Sequence, residues 1–392
     1  MMSKIRTYFL IIILSIIFSL YFFESYLFFL SEKKDFNLDT KIKLYKNLSG
    51  NNYDTRTKSR IYKDLRTKNP NISVSTTPNK FNDPDKNLFF LSGVSNSETI
   101  DCNENGFFSV YKSDRYGFNN PDHEWDAKET EYLLLGDSFV HGSCVNRPND
   151  IASVLRSLSK KPTLNLGYRG NGPLIMYASL KEYLKPNTKK ILWFYYEGND
   201  LDDLQAEFKN PVLNKYYSSK NYSQNLINIQ KKIDKLNFKM ISKSIQLQDN
   251  IDYDLVKQSK FENKLLKILR LDKTKKKLNL IFVPKKNKDL PFPQFKNILN
   301  LAKELAEDNG SEIYFVYLPQ FERYKINFNL NNYKKIKSVV EELNIPMIDI
   351  HLEVFKNEKN PLNLFPFQMW GHYNVEGYEK VSKTIYRSTK DK

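Results

Sequence analysis

The sequence predicts an α/β fold in which a parallel sheet of five strands is covered by helices on both faces. From residue 132 onward, short apolar segments alternate with amphipathic helical segments. Such alternation is typical of βαβ units, and strands with few polar positions indicate a sheet buried on both sides. The predicted strands are Tyr132–Leu135, Thr163–Leu166, Ile191–Tyr196, Glu312–Leu318 and Pro346–Ile350. The predicted helices are Ile151–Leu158, Pro173–Leu184, Phe295–Asp308, Tyr333–Leu343 and Val375–Arg387.

Composition excludes two broad classes of protein. The chain has 392 residues, of which 40% are hydrophobic and 14% aromatic, and this content is typical of a globular protein rather than a disordered one. The net charge of +16 comes from lysines spread along the whole chain. Because no nucleic-acid-binding motif accompanies that charge, we do not expect nucleic acid as a partner.

The N-terminal segment has the features of a membrane anchor. Lys4 and Arg6 precede an apolar run, Tyr8–Phe23, and apolar character resumes through Leu30. A bilayer span needs roughly 20 apolar residues. No cleavage site with small residues follows, so we expect an uncleaved signal anchor rather than a cleaved signal peptide. The flanking charges favour a cytoplasmic N-terminus and a single-pass protein whose body is exported, to the periplasm or another extracytoplasmic space.

Three regions are expected along the chain. Residues 1–34 form the anchor, and residues 35–127 form a loosely structured stem followed by short extended segments, with a hairpin at Asn105-Gly106. Residues 128–392 form the main α/β domain. Residues 209–290 interrupt its alternating pattern with Lys-rich helical sequence. We interpret this insertion as a lid or a surface for a protein partner, although its charges also suit a plain solvated face.

The chain contains two cysteines, Cys102 and Cys144. In an exported protein such a pair can oxidise, so we expect a disulfide that ties the segment before the main domain to the loop after the first strand. The alternative is two unrelated thiols.

Polar motifs follow the first three strands, and a fourth lies near the C-terminus. Ligands of parallel α/β sheets bind at the carboxyl ends of the strands, so this placement indicates a functional site. In chain order the motifs are Gly136-Asp137-Ser138-Phe139, Asn165–Gly172 (NLGYRGNG), Glu197-Gly198-Asn199-Asp200 and Gly371–Tyr378 (GHYNVEGY).

These motifs contain the groups that acyl transfer requires. A serine hydroxyl becomes a nucleophile when a base removes its proton, and His372 can supply that base for Ser138. The oxyanion needs donors that are fixed before the reaction. The backbone N–H of Ser138, the N–H of Gly170 and the side-chain amide of Asn199 can provide them. The alternative roles are an N-cap for Ser138 and turn positions for Gly170 and Asn199.

This set resembles the SGNH, or GDSL-type, hydrolase superfamily over roughly residues 131–387. The resemblance implies a flavodoxin-like three-layer α/β/α sandwich and ester hydrolysis or acyl transfer without a cofactor or metal. It places the family's four signature residues on Ser138, Gly170, Asn199 and His372. Membrane-anchored members of the family are associated with O-acetylation of cell-surface polysaccharide.

The sequence departs from the family pattern at two places. The third motif begins with Glu197 where the family has glycine. The family's catalytic Asp lies three residues before the histidine, and here that residue is Met369. We therefore expect either a Ser–His dyad or a distant acid. Asp349, at the end of the fifth strand, is the best candidate, and its alternative role is to cap a strand end.

Two aromatic residues and the remaining histidines are also considered as substrate-binding, catalytic or metal-binding residues. Tyr168 and Trp370, on loops beside the site, are candidates for stacking on a carbohydrate ring. His141 is close to Ser138 in sequence, but helical geometry is expected to point it away from the site. The four histidines are not spaced as metal ligands, so we expect no metal.

Together these observations predict an exported, membrane-anchored serine esterase or O-acyltransferase. Its substrate would be an acylated, most simply acetylated, small molecule or cell-surface polysaccharide. The alternative is a catalytically degenerate member of the fold that serves as a binding or assembly component of a polysaccharide export machine, which the empty position before His372 would explain.

Overall fold

The computed structural model describes residues 2–35, 37–78, 87–257, 268–271, 274–275, 290–324 and 328–390. The chain divides into two compact units. One consists of Met1–Tyr53 with Ser244–Asp289, and the other of Asp54–Lys243 with Leu290–Lys392. The predicted helix over residues 261–271 lies mostly outside the described residues.

Among the described residues there are eight strands in two sheets. In chain order they are β1 Ile72–Val74, β2 Glu98–Ile100, β3 Val110–Lys112, β4 Thr130–Leu135, β5 Thr163–Asn165, β6 Thr188–Tyr196, β7 Glu312–Leu318 and β8 Met347–Asp349. The small sheet has the order β1-β2-β3, and the large one has the order β5-β4-β6-β7-β8. All four pairings of the large sheet are parallel. Counted within that sheet the order is 2-1-3-4-5, which is the flavodoxin-like arrangement, so the predicted fold class is confirmed.

Thirteen α-helices are assigned in the same described ranges. They are α1 Met2–Asp35, α2 Asn37–Ser49, α3 Lys58–Arg66, α4 Ser138–His141, α5 Ile151–Ser159, α6 Pro173–Tyr183, α7 Asp200–Glu207, α8 Pro211–Ser218, α9 Gln230–Lys257, α10 Phe292–Asp308, α11 Asn331–Glu342, α12 Ile350–Glu353 and α13 Val375–Thr389. The five predicted strands and five predicted helices of the main domain all coincide with observed elements to within three residues at either end.

Alternate residues of the central strands enter two separate cores. Leu133, Trp193 and Phe315 pack on one face of the large sheet with residues of α6, α10 and α11. Tyr132, Leu134 and other residues of opposite parity pack on the second face with residues of α5 and α13. Because successive side chains of a strand point to opposite faces, this division produces the three-layer α/β/α sandwich.

The N-terminal helix α1 contains a segment, Lys4–Leu27, that is long and apolar enough to cross a membrane. Glu24 is buried in its own unit, where a carboxylate oxygen accepts the N–H of Thr274 at 2.6 Å.

The prediction of a loosely structured stem is wrong for three parts of that segment. Residues 37–49 and 58–66 are helical, and Ile72–Val74 is a strand whose residues are all buried. The prediction failed because it was based on polar composition, whereas α3 buries Ser59, Ile61 and Tyr62 and leaves most of its charged residues towards solvent. Residues 79–86 lie outside the described part of the chain. The hairpin at Asn105-Gly106 is present and joins the antiparallel strands β2 and β3.

Glu197, the unusual first residue of the third motif, has a structural role. Its carboxylate forms a bidentate pair with Arg323, at 2.5 and 2.9 Å, and accepts the Tyr317 hydroxyl at 2.6 Å. Both charged side chains are only 4% exposed. The pair therefore joins the end of β6 to the segment that follows β7.

Removal of one partner of this buried pair should be costly. We expect Arg323→Met to lower the free energy of unfolding by about 3 to 5 kcal/mol, because it leaves the Glu197 carboxylate buried without its cation. The matched control is Arg115→Met, which breaks pairs with the exposed Asp122 and Asp126 and should cost less than about 1 kcal/mol. Urea unfolding of the full-length chain in a mild detergent, followed by tryptophan fluorescence, measures both. Equal losses in the two variants would contradict this role.

Candidate active site

Ser138 lies at the turn where β4 ends and the short helix α4 begins. Asp137 caps α4 because its carboxylate accepts the N–H of Phe139 at 2.8 Å. Gly136 makes the turn feasible, since a Cβ there would lie 2.3 Å from Cγ2 of Val140. The strand end and the cap together place the Ser138 hydroxyl at the carboxyl edge of the sheet.

His372 contacts that hydroxyl directly. Its Nε2 lies 2.8 Å from Oγ of Ser138. The ring also packs against Phe139, with 4.7 Å between the ring centroids. The structure thus brings together the two residues that the sequence predicts as nucleophile and base, although they are separated by 234 positions.

The carboxylate at the other side of the imidazole belongs to Glu104, which the sequence analysis missed. Both of its oxygens lie 3.1 Å from Nδ1 of His372, and one of them also accepts the backbone N–H of His372 at 2.6 Å. Gly371 permits this approach, because a Cβ there would lie 2.6 Å from a Glu104 oxygen. A proton on Nδ1, held by Glu104, leaves the lone pair of Nε2 free to accept the Ser138 proton.

The Asp349 prediction is wrong. The Asp349 carboxylate caps α12 by accepting the N–H of Leu352 at 3.2 Å, and it accepts the Tyr333 hydroxyl at 2.6 Å. It is thus committed to the end of β8, which is its alternative role. The fold provides the acid instead from the loop between β2 and β3, a region with no sequence proximity to His372.

Cys102 and Cys144 form a disulfide, as the sequence predicts. Glu104 follows Cys102 by two residues, so this bond ties the acid's loop to the segment after α4. That predicted link was the signal by which Glu104 could have been found.

The Cys144 sulfur lies 3.8 Å from Nδ1 of His372. Cys102, Cys144 and His372 have the proximity of metal ligands, but disulfide sulfurs are not thiolates and make poor metal ligands.

Two of the predicted oxyanion donors, Gly170 and Asn199, follow the strands that flank β4. The loop after β5 is fastened to the nucleophile's turn, because the Tyr168 N–H donates to the Gly136 carbonyl at 3.2 Å. Gly170 in that loop has φ +75°, and a Cβ there would lie 2.3 Å from the Thr77 methyl group. Both features favour glycine at this position.

Asn199 follows β6, on the other side of β4. One proton of its amide is donated to the Asp203 carboxylate at 2.5 Å. An amide nitrogen carries two protons, so the other can be directed at a substrate oxygen. Asp200 steadies this turn by accepting the Tyr196 N–H at 2.9 Å.

Two buried carboxyl groups, Asp137 and Asp200, are the chain neighbours of Ser138 and Asn199. Burial raises the pKa of Asp137 to about 6 and raises the pKa of Asp200 well above its ordinary value. The negative charge of Asp137 further raises the pKa of Asp200.

Tyr168 cannot stack on a substrate, so that prediction is wrong. Its side chain is fully buried, its hydroxyl accepts the Thr76 N–H at 3.4 Å, and its ring packs edge-on against His141. The residues of β1 and the segment after it cover this position, which sequence order did not reveal. Trp370 is 61% exposed and precedes His372 by two residues, and its contact with substrate stays a prediction.

His141 is removed from the catalytic chemistry by burial. Its side chain is fully buried and packs between the rings of Tyr111 and Tyr168, at 4.9 and 5.3 Å between centroids. Burial lowers the pKa of His141 to about 4. The imidazole is therefore neutral at physiological pH and serves as part of the packing.

Comparisons with known proteins find only distant likenesses to solved structures. No protein-family model matches the chain, and no curated protein matches it. Similar solved structures include a member of the lipolytic protein G-D-S-L family from Veillonella parvula, at 12% identity and a TM-score of 0.36, covering 67% of this chain and 100% of that one. Others are an acetyl xylan esterase (10% identity, 66% and 99% covered, TM-score 0.36) and an acetyl-xylooligosaccharide esterase variant from Geobacillus (14%, 66% and 93%, 0.35). At such values the likeness carries no argument, and the proposed activity rests on the site geometry alone.

The buried His141 predicts a specific loss of stability in acid. The unfolded chain binds a proton on this residue near pH 6.5, whereas the folded chain binds it near pH 4. Stability should therefore fall as pH decreases through this window, by roughly 3 kcal/mol when the change is complete. His141→Phe should remove this component of the pH dependence in urea unfolding. The control is His123→Phe, whose parent side chain is 79% exposed. A His141→Phe curve that parallels the unmodified chain from pH 7 to 4 would refute the assignment.

Two carboxylates can be compared directly as partners of the histidine. We expect Glu104→Gln to slow the reaction of Ser138 with a fluorophosphonate by up to about ten-thousandfold, because the amide no longer holds the required tautomer. Asp349→Asn should change that rate by less than about twofold, since its carboxylate contacts Tyr333 and Leu352. Mass spectrometry of the labelled Ser138 peptide over time gives both rates. A larger effect from Asp349→Asn would restore the original candidate.

Proposed function

We propose that this protein is a serine esterase or O-acyltransferase that acts on acyl esters, most simply acetyl esters, through a Ser138–His372–Glu104 triad. The observation that carries the proposal is the continuous chain of contacts from the serine hydroxyl through the imidazole to the carboxylate, at 2.8 and 3.1 Å. Nucleophile, base and orienting acid in this arrangement define the triad of acyl transfer, whatever their order in the sequence.

The reaction follows from these contacts. His372 accepts the Ser138 proton on Nε2 while Oγ attacks the acyl carbon, and Glu104 stabilises the imidazolium that forms. The N–H groups of Ser138 and Gly170 and the amide of Asn199 stabilise the oxyanion. When the intermediate collapses, His372 returns the proton to the leaving alkoxide and the acyl group stays on Ser138. Water or an acceptor hydroxyl then attacks that ester, with His372 as the base.

We further propose that the enzyme works outside the cytoplasm and is anchored by the segment Lys4–Leu27. The length and apolar character of that segment support a membrane anchor. The Cys102–Cys144 disulfide supports an oxidising compartment, because such bonds rarely persist in the cytosol. A cell-surface polysaccharide is the acyl carrier or acceptor that suits this location.

The exposed indole of Trp370 supports a carbohydrate substrate. It presents a large aromatic surface, 61% exposed, two residues from the catalytic base. A pyranose ring offers a complementary apolar face with polar edges. The insertion 209–290 stays our candidate surface for a protein partner in such a system.

The alternative of a degenerate binding component loses its main support. It depended on the absence of an acid near His372, and Glu104 occupies that place. We therefore favour the enzyme.

The function is tested with the full-length chain in a mild detergent. A fluorophosphonate should label Ser138, and 4-nitrophenyl acetate should be hydrolysed; Ser138→Ala should abolish both, and His372→Ala should lower both rates by at least about a thousandfold. The control variant Asp349→Asn should retain both reactions. Adding xylo-oligosaccharide distinguishes transfer from hydrolysis, because a transferase forms an acetylated sugar that mass spectrometry detects. If the unmodified chain is neither labelled by the fluorophosphonate nor able to hydrolyse the ester, the proposal is wrong.

A further inference from the structure

We propose that the Cys102–Cys144 disulfide positions the catalytic acid, so that the site is fully competent only when this cysteine pair is oxidised. The inference rests on the proposed function and concerns the regulation of that same site. The relevant segment is the loop between β2 and β3, residues 101–109, which we call the acid loop. It has no β-strand of the large sheet on either side, so its position over His372 depends on the disulfide, on side-chain contacts and on the backbone bond from the Asp54 N–H to the Gly106 carbonyl at 2.8 Å.

The residues around Glu104 are each held by a specific contact. Asp101 receives the Arg169 guanidinium at 2.9 Å, and Cys102 forms the disulfide. Asn103 donates to the Asp54 carbonyl at 2.7 Å, and Asn105 donates to the Cys144 carbonyl at 2.8 Å. Glu104 lies between these fixed points. Two of the four contacts involve Cys144 itself.

Cys144 is the residue through which the disulfide acts on the acid loop. Its N–H donates to the Asp101 carboxylate at 3.3 Å, and its carbonyl accepts from Asn105, so its backbone bonds to both sides of Glu104. Cys144 has φ +65°, in the left-handed region that costs a residue with a side chain roughly 1 kcal/mol or more. The covalent bond to Cys102 compensates for this strained conformation.

Reduction removes that compensation at the catalytic base. A dithiol such as dithiothreitol transfers two electrons and two protons to the disulfide, yields two cysteine thiols and becomes a cyclic disulfide. The two sulfurs then separate to van der Waals contact, and Cys144 can leave the left-handed conformation. Its sulfur lies 3.8 Å from Nδ1 of His372, so this change occurs beside the atom that Glu104 must hold.

Reduction should therefore disturb the position of the Glu104 carboxylate relative to His372 and leave the Ser138 nucleophile in place. Ser138 and His372 belong to the turn after β4 and the loop before α13, which the two cores of the sandwich hold in place. Glu104 belongs to the acid loop and would move with it. Displacement of a catalytic group by about 1 Å can cost about a hundredfold in rate, and we expect a loss of that order.

The experiment is a double-mutant cycle with the full-length chain in detergent. The rate of Ser138 phosphonylation is measured for the unmodified chain, for Cys102→Ser with Cys144→Ser, for Glu104→Gln, and for the triple variant. We expect loss of the disulfide to slow the unmodified chain about a hundredfold but the Glu104→Gln chain by less than about twofold, because the acid is already absent there. Treatment with dithiothreitol should slow both chains as the double substitution Cys102→Ser with Cys144→Ser does. Equal slowing in both backgrounds, or no slowing, would overturn the inference.

A second readout does not depend on catalysis. The chain has four histidines, so ¹⁵N-histidine labelling gives few signals, and His372→Ala identifies the Nδ1–H resonance of His372. That resonance should be protected from solvent exchange in the oxidised chain and lost on reduction, while far-UV circular dichroism stays unchanged. Retention after reduction would refute positioning by the disulfide. An oxidised chain that shows the resonance but never reacts at Ser138 would refute the proposed function and leave the positioning intact.

Discussion

The chemistry that we propose for this protein depends on which nitrogen of His372 carries the proton. Ser138 can give up its proton only to an unprotonated Nε2, and that state requires a proton on Nδ1. Glu104 meets the requirement with one carboxylate that accepts both the Nδ1 proton and the backbone N–H of the same residue. Two bonds from one group set the tautomer and the orientation of the ring together.

The site is consequently assembled from two sheets that have different tasks. The large parallel sheet brings the ends of β4, β5 and β6 to one edge, where Ser138, Gly170 and Asn199 follow their strands. The small sheet carries the acid, on the loop between β2 and β3. A triad is defined by geometry and not by spacing in the sequence, so the acid can come from any segment that the fold brings to the imidazole. The glycine at 371 leaves the space into which that carboxylate fits.

Strand positions and the nucleophile–base pair could be predicted because they depend on local patterns. A buried parallel strand is a nearly continuous run of apolar residues. The polar residues that follow it lie at the carboxyl edge of the sheet, because all strands of a parallel sheet end at that edge. Tyr168 and Asp349 were misassigned for the opposite reason. Both follow strands, as functional residues do, but their surroundings come from distant segments: Thr76 meets the Tyr168 hydroxyl, and Tyr333 meets the Asp349 carboxylate.

By itself the sequence determined the α/β class and the succession of strands and helices along the main domain, since each has a signature within a short stretch. It also singled out Ser138 and His372 as a candidate pair and allowed a bond between the two cysteines. Only the tertiary structure decided which carboxylate serves the histidine. Glu104 and His372 are 268 positions apart, and nothing in local periodicity relates them. Their contact results from packing of the small sheet on the large one. That packing depends on the burial and covalent linkage of many residues together, so no single motif predicts it.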